Sequence, residues 1–147
     1  VETTIVWDKD DGGHGMGDLE DWAPRHELSV KCAKGRRPLK SKTRSSNVML
    51  QQDVRFTSDP NHHPTQKPTP LLKTLIEAST TDGEIVFDPF GGVHSTAVAA
   101  ASLDRRAVSV ELDTEFHAKG RDRIQELLEE WNDDRTIVED TKVSIDD

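Results

Sequence analysis

Tyrosine is absent from this chain of 147 residues, cysteine occurs once, and aromatic side chains make up only 5% of it. The lone Cys32 excludes an intramolecular disulfide and fits a reducing compartment. No apolar run approaches the roughly 20 residues that a bilayer-spanning helix needs, and no signal-peptide pattern opens the chain. The expectation is a soluble, intracellular protein, cytoplasmic in a prokaryotic or phage setting. Basic charge is also scarce. The 19 lysines and arginines face 28 acidic residues, and the formal net charge of -9 excludes a generally basic coat for nucleic acid. Such an aspartate-rich surface raises the expectation of a halophile source, for which loss of folding at low salt is the sign.

The positive charge that is present is concentrated. From Lys31 to Arg44 the stretch "KCAKGRRPLKSKTR" contains no carboxylate, whereas the tail from Glu126 to Asp147 is dominated by them. Lys34, Arg36, Arg37, Lys40, Lys42 and Arg44 are therefore the candidate contacts to a DNA phosphate backbone. A solvated loop that balances the acidic surface is the plainer reading of the same residues. The length is that of one domain with a real core, expected over residues 1–131, and an acidic C-terminal tail is expected over 132–147.

Along the chain, "TTIVWDK" reads as a strand, and "ELSVKCA" as a second, with Leu28, Val30 and Cys32 on one buried face. Between them, Asp10 to Asp18 is too glycine-rich for regular structure and is expected to be a loop. "SSNVMLQQDVRF" leads into the proline-punctuated "DPNHHPTQKPTP", where Pro64, Pro68 and Pro70 keep the chain extended until a helix begins. In that helix Leu71, Leu72, Leu75 and Ile76 recur at helical spacing. A strand "EIVFDPF", a helix from Ser95 to Leu103, a strand "AVSVEL" and a last helix from about Thr114 to Trp131 follow. Asp113 is a natural N-cap for the last helix, and Phe116, Ile124, Leu127, Leu128 and Trp131 share one of its faces. Cys32, on an alternating strand, reads as a small buried hydrophobe rather than a nucleophile. His62, His63 and Cys32 lack the paired spacing of a zinc module, so no metal site is expected.

The most informative stretch is "VFDPFGGVHSTAVAAA", from Val86 to Ala101: an apolar strand end, a glycine turn and an alanine-rich helix. Paired glycines let the main chain pass close to a bound molecule, and the helix start at Ser95 and Thr96 offers backbone N–H groups to polar ligands. The same turn can equally do no more than redirect the chain. Glu111 lies about twenty residues beyond the glycines, where a nucleoside-binding fold places an acid for ribose hydroxyls. Strand, turn, helix, strand, helix is the pattern of a doubly wound α/β sheet, with ligands at the carboxyl ends of its strands.

"HPTQKP" at His63 to Pro68, "DPFGG" at Asp88 to Gly92 and "VELD" at Val110 to Asp113, in that order, resemble the S-adenosylmethionine-binding portion of a β-class DNA amino-methyltransferase. "VWDK", "HGMGD" and "HELSVKCAKGRR" resemble the strands that follow the catalytic motif in that class. The resemblance implies a three-layer αβα, Rossmann-like methyltransferase fold with a mostly parallel sheet. It implies methyl transfer from S-adenosylmethionine to the exocyclic amine of adenine or cytosine in double-stranded DNA, as in restriction-modification systems. By the same resemblance, Asp88, Phe90, Gly91 and Gly92 cradle the methionine portion of the cofactor and Glu111 holds its ribose. Thr65, Gln66 and Lys67 close over the methionine carboxylate, with Lys67 as countercharge. Taken without the resemblance, Lys67 is a solvated helix-start lysine and Asp88 a turn-capping carboxylate.

Two features depart from the family pattern. The chain reads "GGVHST" where the family carries "GGSGTT", so His94 stands in place of a glycine. A side chain there either crowds the cofactor, forces a changed turn, or points outward. Moreover, the family's catalytic tetrapeptide, Asp, Asn or Ser followed by two prolines and an aromatic residue, occurs nowhere in the 147 residues. The expectation is that a second chain or a missing N-terminal portion carries it; a homodimer is compatible with the same sequence. The rival reading is a non-catalytic S-adenosylmethionine-binding remnant or subunit that needs such a partner. A nicotinamide enzyme on a similar sheet is disfavoured, because the turn is not G-x-G-x-x-G.

Overall fold

The structure, a computed structural model, describes residues 3–9, 25–40, 46–50 and 66–134. The glycine-rich loop at 10–18, Trp22, His62 and His63, and the acidic tail from 135 onward lie outside the described residues. In chain order the elements are β1 (Thr3–Asp8), β2 (His26–Lys31), β3 (Val48–Leu50), α1 (Thr69–Ser79), β4 (Ile85–Asp88), α2 (Ser95–Ala101), β5 (Arg106–Ser109) and α3 (Thr114–Asp134). β1 is the central strand of one sheet, antiparallel to β2 and parallel to β3. β4 and β5 pair in parallel as a second sheet, with Phe87 opposite Val108 and Asp88 opposite Ser109.

The helices begin and end where the local chemistry dictates. Pro68 at the N-cap of α1 has φ -64° and ψ 133°, and Pro70 falls in the first turn, where its missing N–H breaks no helical bond. Asp113 caps α3 as expected, its Oδ1 accepting from the amides of Glu115 (2.9 Å) and Phe116 (3.1 Å). Ile76 of α1 and Ala99 and Ala100 of α2 form the core, joined by Leu72, Val86 and Leu103. Both alanines are fully buried, so α2 approaches α1 and β4 more closely than larger side chains would permit.

Arg105 fastens the two turns at the far end of this core. Its guanidinium donates to Thr80 Oγ1 (3.2 Å), the Thr80 carbonyl (3.2 Å), Asp82 Oδ1 (2.6 Å) and the Leu103 carbonyl. It thereby satisfies carbonyls left open where α1 and α2 end. Arg105→Ala is expected to cost about 2 kcal/mol, roughly 4–8 °C in Tm for a domain of this size. Arg105→Lys should restore little, because an ammonium lacks the planar fork; a lysine variant melting like the parent would contradict this.

The structure corrects the sequence reading of β2. Leu28 and Val30 are 61% and 55% exposed, and Cys32 is exposed rather than a buried hydrophobe. Alternation identifies residues that share a face, but burial requires a second layer, and no described residue covers this one. The same holds for the β4–β5 sheet. Val86 faces the helices, whereas Ile85, Phe87, Val108 and Val110 stand exposed on its other face. β3, which lies within "SSNVMLQQDVRF", is an additional strand.

Candidate functional site

The carboxyl ends of β4 and β5 flank a cleft of about 210 Å³. Asp88 ends β4, and its Oδ1 accepts from the Phe90 amide at 3.0 Å, which shapes the turn that follows. Gly91 donates to the Val110 carbonyl (2.8 Å) and Gly92 donates to Glu111 Oε2 (2.6 Å), so the turn is stitched to the end of β5 by consecutive amides. Gly92 has φ +54°, and a β-carbon there would meet nothing within 4 Å. Its lack of a side chain thus leaves room in the cleft instead of relieving a clash with the protein.

Glu111 accepts from Gly92 through Oε2 and from the Asp113 amide through Oε1 at 2.9 Å. The Asp113 and Gly92 amides, joined by that of Leu112, hold its carboxyl below the usual carboxylate range, outweighing burial and the nearby Asp113 charge. An ionised carboxylate has about four acceptor positions, so these amides leave capacity for a further donor.

Of the residues singled out in the sequence, Gln66, Lys67, Asp88, Phe90, Gly91, Gly92 and Glu111 all border this cleft; Thr65 lies outside the described residues. Asp88 therefore serves as turn cap and cleft wall at once. Leu72 and Val93 also line it. Leu72 comes from α1 and Val93 from the glycine turn itself, so the cleft lies where the two meet. Gln66 carries the clearest sign of a missing partner: its Oε1 is buried with no hydrogen bond.

Lys67 borders the cleft, but its Nζ pairs with Glu27 Oε2 on β2 at 3.0 Å. Lys9 pairs with the other oxygen of Glu27 at 2.5 Å, and both ammonium groups lie near the Trp7 ring. Burial raises the Glu27 carboxyl, but the hydrogen bonds and charges of Lys9 and Lys67 together hold it below the ordinary range. Glu27 thus ties the cleft to the β1–β2 sheet, a role that no local pattern announces.

His94 does not line the cleft. His94 adopts φ 54° and ψ 33°, the left-handed region, and its ring is buried, so it neither crowds the cleft nor points outward. The position thus keeps the backbone conformation a glycine would favour.

Lys34, Arg36, Arg37 and Lys40 are exposed on the segment after β2, and the Lys40 amide donates to the Ala78 carbonyl at the end of α1 (2.8 Å). Lys42 and Arg44 lie outside the described residues. Lys34, Arg36, Arg37 and Lys40 are not among the residues that form the cleft.

A family profile described as DNA methylase matches residues 1–121. The chain belongs to the DNA methylase family. It is 39% identical over 100 residues to YubD of Escherichia coli (strain K12), covering 68% of this chain and 42% of that protein. It is 40% identical over 72 residues to the DNA adenine methyltransferase YhdJ of the same organism, covering 48% of this chain and 24% of that protein. The chain thus matches less than half the length of these relatives. Its fold is that of the crystal structure of the M1.HpyAVI–SAM complex, with a TM-score of 0.67 and 24% identity over 84% of this chain and 61% of that one. The doubly wound, Rossmann-like α/β class read from the sequence is borne out.

Proposed function

We propose that the cleft binds S-adenosylmethionine and that the chain forms the cofactor-binding portion of a DNA methyltransferase acting on the exocyclic amine of adenine or cytosine. The observation that carries this is the amide-stitched turn from Asp88 to Gly92 facing the ionised Glu111. The residues fit the cofactor by their chemistry. Gln66 Oε1 is a buried acceptor awaiting a donor, Gly92 leaves its side-chain space open, and Glu111 retains acceptor capacity for ribose hydroxyls. At about 210 Å³ the cleft is smaller than the usual site for a drug-sized ligand, so it takes in part of a nucleoside-sized molecule. Bound there, S-adenosylmethionine supplies a sulfonium-activated methyl group. The chain's own work is then to hold and orient: Asp88 and the glycine turn shape the wall, Glu111 accepts, and Lys67, held by Glu27, brings positive charge beside Gln66.

The amine-accepting tetrapeptide lies, on this reading, in chain beyond these 147 residues, in the same polypeptide or a second one. Supporting this, Ile85, Phe87, Val108 and Val110 present a continuous apolar face without cover among the described residues, Phe87 being 62% exposed. The double-stranded DNA partner, a cytoplasmic location and an acidic extension at 132–147 belong to the same proposal. No helix among the described residues is long and apolar enough to cross a membrane.

Calorimetry with S-adenosylmethionine against NAD tests the cofactor: binding of the first and not the second is expected, and the reverse would contradict the reading. For the basic segment, alanine at Lys34, Arg36, Arg37 and Lys40 should flatten the dependence of log DNA affinity on log salt. The expected change in slope is about 0.9 for each phosphate contact removed. An unchanged slope would leave these residues as a solvated loop.

A further inference from the structure

His94 occupies a made-to-measure seat beneath the glycine turn. The residue is 2% exposed, its Nδ1 lies 2.7 Å from Ser109 Oγ on β5, and its Nε2 lies 3.0 Å from Nδ1 of His117 on α3. Glycines form the walls of this seat. A β-carbon added at Gly91 would overlap Ser109 Oγ and come within 2.5 Å of His94 Nδ1, and one at Gly120 would overlap the His94 ring itself. Gly120 sits buried within α3, where alanine is the better helix former, so the ring accounts for a glycine that helix propensity disfavours. The turn is thereby held on both sides, by the amides of Gly91 and Gly92 to the β5 end and by the imidazole to β5 and α3.

We propose that His94 is a positioning residue for the cofactor-binding turn, locking Gly91 to Val93 between β5 and α3, and that the lock opens when the His94–His117 pair takes up a second proton. The inference rests on the cofactor reading above. The contact between the rings holds one hydrogen, donated by either His94 Nε2 or His117 Nδ1, while Ser109 donates to or accepts from His94 Nδ1 accordingly. One proton added to the pair is tolerated, because the protonated ring still donates to its neutral neighbour. A second places N–H against N–H, and the bond is lost.

The surroundings disfavour charge on His94. Burial, followed by the facing His117 and then Arg123 of α3, disfavours charge on His94, whereas Glu111 after β5 and Asp88 at the end of β4 favour it; the net shift is downward from 6.5. A depressed imidazole keeps its native contacts above the ordinary histidine range and loses them as pH falls through its lowered value. The lock therefore fails on the acid side of 6.5.

The test is calorimetric titration of the 147-residue chain with S-adenosylmethionine from pH 8 to pH 5, in the parent, His94→Gly, His117→Phe and the double variant. The parent should lose about five- to tenfold in affinity across the acid step, as expected for one broken hydrogen bond. Each variant should start weaker by a similar factor at pH 8 and show no step, and the double variant should be no worse than either single one. An acid step of parental size in folded His94→Gly or His117→Phe overturns the proposal. Should His94→Gly not fold, His117→Phe and ring-nitrogen NMR carry the test. If the parent binds no S-adenosylmethionine at any pH, the cofactor reading fails separately, and the ring shifts of the ligand-free chain decide the lock. Loss of the His94–His117 hydrogen bond as the pH falls supports it; a bond that persists to pH 5 overturns it.

Discussion

Replacing Glu111 by alanine is expected to weaken S-adenosylmethionine binding by roughly a hundredfold, the effect of removing charge-assisted hydrogen bonds to a pair of ribose hydroxyls. The substitution also frees the amides of Gly92 and Asp113, which now donate to the two carboxylate oxygens. Glu111→Gln separates these roles. An amide has one acceptor oxygen, so the variant must give up an amide contact or a hydroxyl contact, and an intermediate loss is expected. Because the parent carboxyl is held below the ordinary range, affinity from this group should be constant at neutral pH and fall only as the solution reaches the acid range of carboxylates. Isothermal calorimetry on variants whose circular dichroism matches the parent makes the measurement. Undiminished binding by Glu111→Ala would remove the residue from the site.

The second large effect concerns turnover. Incubated with unmethylated DNA and tritiated S-adenosylmethionine, the 147-residue chain alone should transfer no methyl groups above background. Joined to a polypeptide that supplies an Asp, Asn or Ser-Pro-Pro-aromatic segment and covers the Ile85, Phe87, Val108 and Val110 face, it should transfer at least about a thousandfold more. That is the scale on which a missing transition-state hydrogen-bond partner costs rate. A charged substitution, Phe87→Asp, should block the joining while leaving cofactor affinity nearly unchanged, since Phe87 does not border the cleft. Transfer by the chain alone would show that the amine is held by residues of this chain. Failure of Phe87→Asp to affect assembly would show that the partner sits elsewhere.

What could be read from the sequence was local. The 3.6-residue spacing of Leu72 and Ile76, the Asp113 cap, and the interval from the glycines to Glu111 are short-range patterns, and each appears in the structure as a packed face, a cap and a hydrogen bond. The cleft followed from the same logic, because a strand–turn–helix unit places its own turn beside the end of the next strand. Properties set by distant partners were not legible. β3 is a three-residue strand that owes its existence to pairing with Val6, Trp7 and Asp8. The exposure of Leu28 and Val30 depends on what lies above β2, which alternation does not encode. Lys67 finds Glu27, and His94 finds Ser109, His117 and the space beside Gly120, through contacts between segments that the linear pattern leaves unconnected.

A crystal of the chain soaked with S-adenosylmethionine tests the central claim most directly. Density for the donor should fill the cleft between Asp88 and Glu111, with its ribose hydroxyls within hydrogen-bond distance of the Glu111 carboxylate and its amino-acid end towards Gln66 and Lys67. Density at another surface, or an empty cleft at ligand concentrations that saturate binding in solution, would contradict the account.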